Sequence, residues 1–260
     1  MTMGGCVEHN RAKERADTPT IVSLNPCTDA ILAEVAVPAQ LLAISHYSHD
    51  SSASSMDLDK ARIFAATGGT VEEVLALDPD IVVASSFLAP ATRQAFADLG
   101  VRVETFGIAS TAHDSKAQIE QLAALAGNPD KGDALIEQID IALDAAAAQG
   151  EPLSAVLWQP GGIVPGDSAL VSELMQHTGF ASHSAALGMG QADYLSLEQM
   201  LTNPPDVLLL AGDERAQKHP ALAELSGTKL AEFDSALLYC GGPTIIRAVE
   251  RLAEIRRQAE

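Results

Sequence analysis

Short apolar runs and stretches of helical period alternate along most of this chain. Thr20-Ile21-Val22-Ser23-Leu24 is the first run, closed by Asn25-Pro26, after which Thr28 or Asp29 caps a helix through Ala36. Leu41 to Ser45 predicts a second strand, opening into His46-Tyr47-Ser48-His49-Asp50 and a serine-rich loop to about Met56. A helix over 70–77, a strand over 81–85, a helix from Pro90 to Gly100 and a strand from Val101 to Phe106 complete this half. Short apolar strands that each lead into a helix predict a parallel sheet with helices on its faces.

Residues 111–149 break the alternation. Apart from the Gly127-Asn128-Pro129 turn they are helical in period, and 129–148 is alanine-rich with no strand signal. One helix of about 20 residues reaches about 30 Å, enough to cross between two lobes. Alternation then resumes with a strand from Ala155 to Gln159, a helix from Leu170 to Gln176, a helix over 197–203 and a strand over 206–211. A short helix at Pro220–Leu225, a strand from Ala236 to Tyr239 and a terminal helix launched by Cys240-Gly241-Gly242-Pro243 close the chain.

One unit occurs twice. Thr70-Val71-Glu72-Glu73 begins a helix that runs to Asp78-Pro79-Asp80 and a strand, and Ser196-Leu197-Glu198-Gln199 begins another that runs to Pro204-Pro205-Asp206 and a strand. In each, a hydroxyl residue is followed three positions later by Glu73 or Gln199, the pattern of a reciprocal capping box. Two such units far apart predict two similar lobes. The fold class expected is therefore α/β, with two lobes, each a short mainly parallel sheet flanked by helices, joined by one long helix. The expected divisions are a disordered leader or lipoprotein tether over 1–19, an N-terminal lobe over 20–125, the connecting helix over 126–150 and a C-terminal lobe over 151–260.

Charge narrows the partners. Sixteen Lys+Arg against 35 Asp+Glu give a net charge of −19, which repels phosphate backbones and argues against nucleic acid. No apolar run approaches the roughly 18–20 residues that cross a bilayer. Met3-Gly4-Gly5-Cys6 loosely resembles the end of a bacterial lipoprotein signal, making Cys6 a candidate for lipidation. Cys27 and Cys240 both follow predicted strands; in an exported protein they form one disulfide or remain two small buried thiols.

The loops at the carboxyl ends of the strands form the ligand-facing crevice of an open α/β sheet. Neither a Gly-x-Ser-x-Gly elbow nor a dinucleotide or phosphate-loop fingerprint is present. No enzyme chemistry and no cofactor of the protein's own are therefore expected. His46, His49 and Asp50 are the alternative, a transition-metal site of imidazole and carboxylate. Glu72 and Glu198 sit at the second helical position, where the helix dipole favours a carboxylate and the side chain points away from the apolar face. Two equivalent exposed glutamates suit a two-fold partner with paired arginines.

In order and spacing, Ile21-Val22-Ser23-Leu24-Asn25-Pro26, Glu72 with Pro79-Asp80, Leu99-Gly100-Val101-Arg102-Val103 and the long helix resemble a known family. Leu174 with Thr178-Gly179-Phe180, Ser196-Leu197-Glu198 with Pro205-Asp206, and His219-Pro220-Ala221-Leu222 continue the likeness over about residues 20–257. The family is the substrate-binding proteins of bacterial ABC importers for cobalamin, iron-siderophores and haem. The resemblance implies a periplasmic, monomeric protein that holds a small-molecule metal chelate between its lobes and docks on an inner-membrane permease through Glu72 and Glu198. The Asn25 to Asp29 start and the Cys240 to Pro243 end are similar to a subgroup associated with cobalamin-type uptake. The ligand contacts expected are Cys27, Thr28, His46, Tyr47, His49, Phe87, Trp158, Tyr194, Cys240 and Arg247. A strongly anionic catecholate chelate needs several arginines or lysines. The candidate loops hold almost none, so a corrinoid or neutral hydroxamate fits better.

Overall fold

The computed structural model describes residues 18–260, so Cys6 and the rest of the 1–17 segment lie outside the described residues. Its central strands bury both faces. Along β1 (Ile21–Ser23), Ile21 points into one apolar cluster and Val22 into another. Along β4 (Ile81–Ser85) the alternation continues, with Ile81 and Val83 on one side and Val82 on the other. This period of two with apolar residues at every position is what a parallel sheet covered by helices requires.

The N-terminal sheet adds β2 (Leu41–Ser45), β3 (Ala66–Thr67) and β5 (Arg102–Phe106), in the order β3-β2-β1-β4-β5 with every pairing parallel. Its helices are α1 (Pro26–Val35), α2 (Leu58–Ala61), α3 (Val71–Leu77), α4 (Pro90–Asp98) and α5 (Ala112–Leu125). One helix, α6 (Pro129–Ala146), then leads to the second sheet. There β6 (Leu153–Trp158), β8 (Phe180–Ser182), β10 (Val207–Leu210) and β11 (Lys229–Glu232) lie parallel in the order β11-β10-β6-β8. A small antiparallel pair, β7 (Ile163–Val164) with β9 (Asp193–Tyr194), stands beside it. Helices α7 (Leu170–His177), α8 (His183–Ala186), α9 (Leu197–Thr202) and α10 (Thr244–Ala259) complete this lobe.

The 18 residues of α6 extend about 27 Å. Helices α1, α5 and α10 all pack on it. Gly132 lets α5 approach closely, because a Cβ there would stand 2.6 Å from the Ala123 methyl. As a result the inner faces of both sheets belong to one apolar cluster: Ile21 and Val83 from the first, Ile139 and Ala142 from α6, Leu157 and Leu209 from the second.

Local chemistry corrects several boundaries. Asn25, rather than Thr28 or Asp29, caps α1; its side chain accepts the Cys27 N–H at 3.0 Å and Pro26 occupies the first helical turn. The expected strand at Ala236–Tyr239 is a 3-10 turn, Ser235–Leu238, capped by Asp234. The strand lies earlier, at β11, an edge strand in which only Ala231 is buried, so no apolar run announces it. The capping boxes also differ. In α9, Ser196 and Gln199 bond reciprocally. In α3, Thr70 accepts the Glu73 N–H, but the Glu73 carboxylate turns to the Thr67 hydroxyl (2.9 Å) and the Gly68 N–H (2.7 Å). Those two bonds hold the Glu73 carboxyl below its usual range, the Thr67 hydroxyl contributing most. Ser196→Ala is expected to lower stability by about 1 kcal/mol in urea unfolding, the ordinary cost of an N-cap.

Candidate functional site

A cavity of about 580 Å³ lies between the lobes. From the N-terminal side it is lined by residues just after β1, β4 and β5: Asn25 and Cys27, Ser85 and Phe87, and Gly107 to Ser110. From the other side come Ser168 to Val171 at the start of α7, Gln191 ahead of β9, and Leu238 to Gly241 ahead of α10. Strand carboxyl ends and helix starts thus supply the walls, as the parallel sheet topology dictates.

In its wall Cys27 and Cys240 form a disulfide, with Cα atoms 5.1 Å apart across a sequence separation of 213. Three hydrogen bonds reinforce this contact between the lobes. The Gly242 N–H donates to Ser115 Oγ (2.6 Å), the Ala112 N–H to Glu173 Oε2 (3.0 Å) and the Arg247 guanidinium to the Ser55 carbonyl (3.1 Å). Neighbouring Gly242 has φ +63°, and a Cβ there would meet Ile31 at 2.7 Å, so the loop before α10 can close this tightly on α1 only as glycine.

None of the residues lining the cavity carries a charge. Phe87 and Ile108 are each 76% exposed there, and Tyr239 is 46% exposed on the opposite wall. Large apolar side chains this open on opposite walls of one cleft are the kind of surface on which ligands bind. The polar groups are neutral amides and hydroxyls. Gln118 donates through Nε2 to the Gly107 carbonyl (2.9 Å), which leaves its Oε1 to accept. Gln191 accepts the Gly166 N–H on Oε1 (2.9 Å), which leaves its Nε2 to donate.

Of the sequence-predicted ligand contacts, Cys27, Phe87 and Cys240 line this cavity and the others do not. Trp158 is a correction: at 1% exposure it lies in the core of the second lobe with Val156, Met200 and Leu208, its indole N–H donating to the Leu195 carbonyl (2.9 Å). Thr28 is also buried, with its hydroxyl on Ser23 Oγ and the Asn25 carbonyl. Arg247 is spent on the Ser55 tie, and Tyr194 is exposed on β9 with its ring against Gly162. His46 and Tyr47 stack at 4.1 Å beyond the end of β2, outside the cavity.

The alternative metal site is not assembled. His46 Nδ1 pairs with the Thr67 carbonyl (3.3 Å), His49 Nε2 with the Ala61 carbonyl (3.1 Å), and the Asp50 carboxylate with Ser52. Among the described residues no three His, Cys, Asp or Glu side chains converge. Sequence reasoning missed Ile108, Tyr239 and the two glutamines. Ile108 sits in a loop that the crevice rule already singles out, but Leu238-Tyr239 reads as strand because its apolar run hides a turn.

Glu72 and Glu198 are exposed in the first turns of α3 and α9, and neither lines the cavity. Glu198 lies beside a surface groove with Leu187 and Met189. The backbone N–H at its own position and the Ser196 hydroxyl hold its carboxyl below the usual range.

Two parallel-sheet lobes on one helical spine, with a neutral cleft between them, define a cleft-type solute-binding fold. The chain belongs to the periplasmic binding protein family, whose model matches residues 21–231. No curated protein matches it in sequence. Among solved structures it is similar to the periplasmic vitamin B12 binding protein BtuF of Vibrio cholerae, with TM-score 0.71 and 20% identity, covering 93% of this chain and 98% of that one. It is also similar to the periplasmic heme binding protein HutB of Vibrio cholerae (TM-score 0.75, 17% identity, 90% and 97% covered). A third is the heme-binding protein RhuT of Roseiflexus sp. RS-1 (TM-score 0.73, 18% identity, 92% and 98% covered). At these identities the likeness is one of fold. No helix among the described residues is long and apolar enough to cross a membrane.

Proposed function

We propose that this protein is the substrate-binding component of an ABC importer. It captures a neutral, amide-bearing metal chelate of corrinoid type between its lobes and carries it to the permease. The observation that carries this reading is the cleft lining: exposed Phe87, Ile108 and Tyr239, amides and hydroxyls, and no charged side chain. A flat chelate with amide substituents finds apolar faces above and below and a donor and an acceptor at the edge. A carboxylate-rich or catecholate chelate finds no cation to pair with. The protein acts by binding rather than catalysis, in the periplasm, as a monomer and without nucleic acid. Cys6 is its candidate lipid attachment. Its lobes comprise 20–125 and 151–260, and the shared spine permits a small opening motion rather than a wide hinge.

Calorimetric titration tests the reading with cyanocobalamin, a neutral ferric hydroxamate, hemin and an anionic ferric catecholate. Cyanocobalamin is expected to bind, and Phe87→Ala and Tyr239→Ala each to weaken it about tenfold through lost aromatic contact, with unchanged melting temperature. Binding of the catecholate alone, or of no probe, would overturn the ligand class.

A further inference from the structure

Two covalent routes join the lobes. One is the chain through α6; the other is the Cys27–Cys240 disulfide, which also forms part of the cleft wall. Cys27 belongs to the first turn of α1 and Cys240 to the segment just before α10, so the bond fixes how far the N-terminal wall stands from the Tyr239 wall. Cys240 is only 7% exposed and Cys27 half-buried, and both border the cavity, so a solvent reagent entering the cleft meets the pair.

Resting on the reading of this cleft as the ligand site, we propose that the Cys27–Cys240 bond is a gauge for the cleft whose redox state is coupled to occupancy. A bound chelate covers the sulfurs and excludes a thiolate. Breaking the bond lets the two walls drift and weakens the chelate. The chemistry is thiol–disulfide exchange with an external dithiol. Its thiolate attacks one cysteine sulfur, the S–S bond breaks, and a mixed disulfide forms. The second thiolate of the dithiol displaces that cysteine, and Cys27 and Cys240 end as thiols after each takes up a proton. The reagent ends as its own cyclic disulfide, having supplied the two electrons. By linkage, whatever factor separates the affinities of the oxidised and reduced forms also shifts the disulfide equilibrium when ligand is present.

The test uses the whole chain in a Cys6→Ser background, so that only this pair reports, with cyanocobalamin as probe. Reduction by dithiothreitol is followed by alkylation and mass measurement, with and without saturating cyanocobalamin. Affinity is measured by equilibrium dialysis for the oxidised protein, the reduced protein and Cys27→Ser/Cys240→Ser. Reduction about tenfold slower with ligand, and affinity about tenfold weaker in both disulfide-free forms, are expected. Failure of the oxidised protein to bind would overturn the reading of the cleft, and the gauge with it. Binding with unchanged reduction rate and unchanged affinity would overturn the gauge and leave that reading standing. Should the serine variant misfold, the reduction rates of the intact protein still decide.

Discussion

Glu72→Arg combined with Glu198→Arg is expected to abolish uptake of cyanocobalamin by cells that depend on this protein, while affinity for the ligand stays within about twofold of the parent. The reason lies in where the two carboxylates sit. Each occupies the first turn of a short capped helix, α3 in one lobe and α9 in the other, exposed and away from the cleft. The caps fix the direction of both helices, so the carboxylates present a fixed pair to a partner. Glu198 adds the Leu187–Met189 groove beside it, where an apolar side chain adjoining a partner's arginine can seat. If a permease meets them with paired arginines, charge reversal replaces two attractions by two repulsions, and opposed like charges cost several kcal/mol at an interface. Each single reversal leaves one attachment and is expected to reduce uptake partially. Uptake of labelled cyanocobalamin in a deletion strain, beside dialysis of the purified variant, separates docking from capture. Unchanged uptake would refute the assignment.

The second large effect is on stability against pH. Asp29 is fully buried in α1 beneath the cleft, and its Oδ2 accepts from the Ser48 hydroxyl (2.6 Å) and the Ser45 N–H (3.0 Å). Its Oδ1 has no hydrogen-bond partner, the Ser23 hydroxyl being engaged with Thr28. Burial pushes the carboxyl up to about 8, although the bonds from Ser48 and Ser45 pull it back. In the unfolded chain the same group titrates near its ordinary value of about 4. Between those values the native state binds a proton that the unfolded state has released, so stability falls as pH rises. The contribution is whole below about pH 4 and gone above about pH 8, a loss of at most about 6 kcal/mol. Melting temperature is therefore expected to decline from pH 5 to pH 9. Asp29→Asn, which keeps the shape without the titration, is expected to flatten that part of the profile. An equally steep decline in the variant would show that another group is responsible.

Much of the fold was legible because its elements obey local rules. Apolar pairs such as Ile21-Val22 and Leu208-Leu209 read as buried parallel strands, and the alanine-rich 129–148 stretch read as the spine because nothing in it favours a strand. The edge strand β11 and the turn before Cys240 were not legible. One has too little apolar character to announce itself, and the other borrows a strand's composition. Phe87 and the two cysteines line the cavity, where the rule that loops after parallel strands face the crevice puts them. Trp158 shows where that rule misleads: it ends β6 but alternates onto the face covered by Met200 and Leu222. No periodicity tells which of two covered faces borders a ligand. Gln118 and Gln191 were invisible for another reason, since they reach the cleft from a helix interior and from the loop between α8 and β9.

The apolar cluster that runs from Ile21 through Ile139 to Leu209 bears on how the chain can be cut. Each lobe keeps a smaller apolar cluster of its own, but the larger one is shared: severed near residue 126, the first lobe would bare the α1 and α5 flanks that rest on α6, and α6 would lose that cover. Fragments of this protein are thus poor candidates for separate expression, and any sensor built from it has to graft onto the rim of the cleft and leave the spine whole.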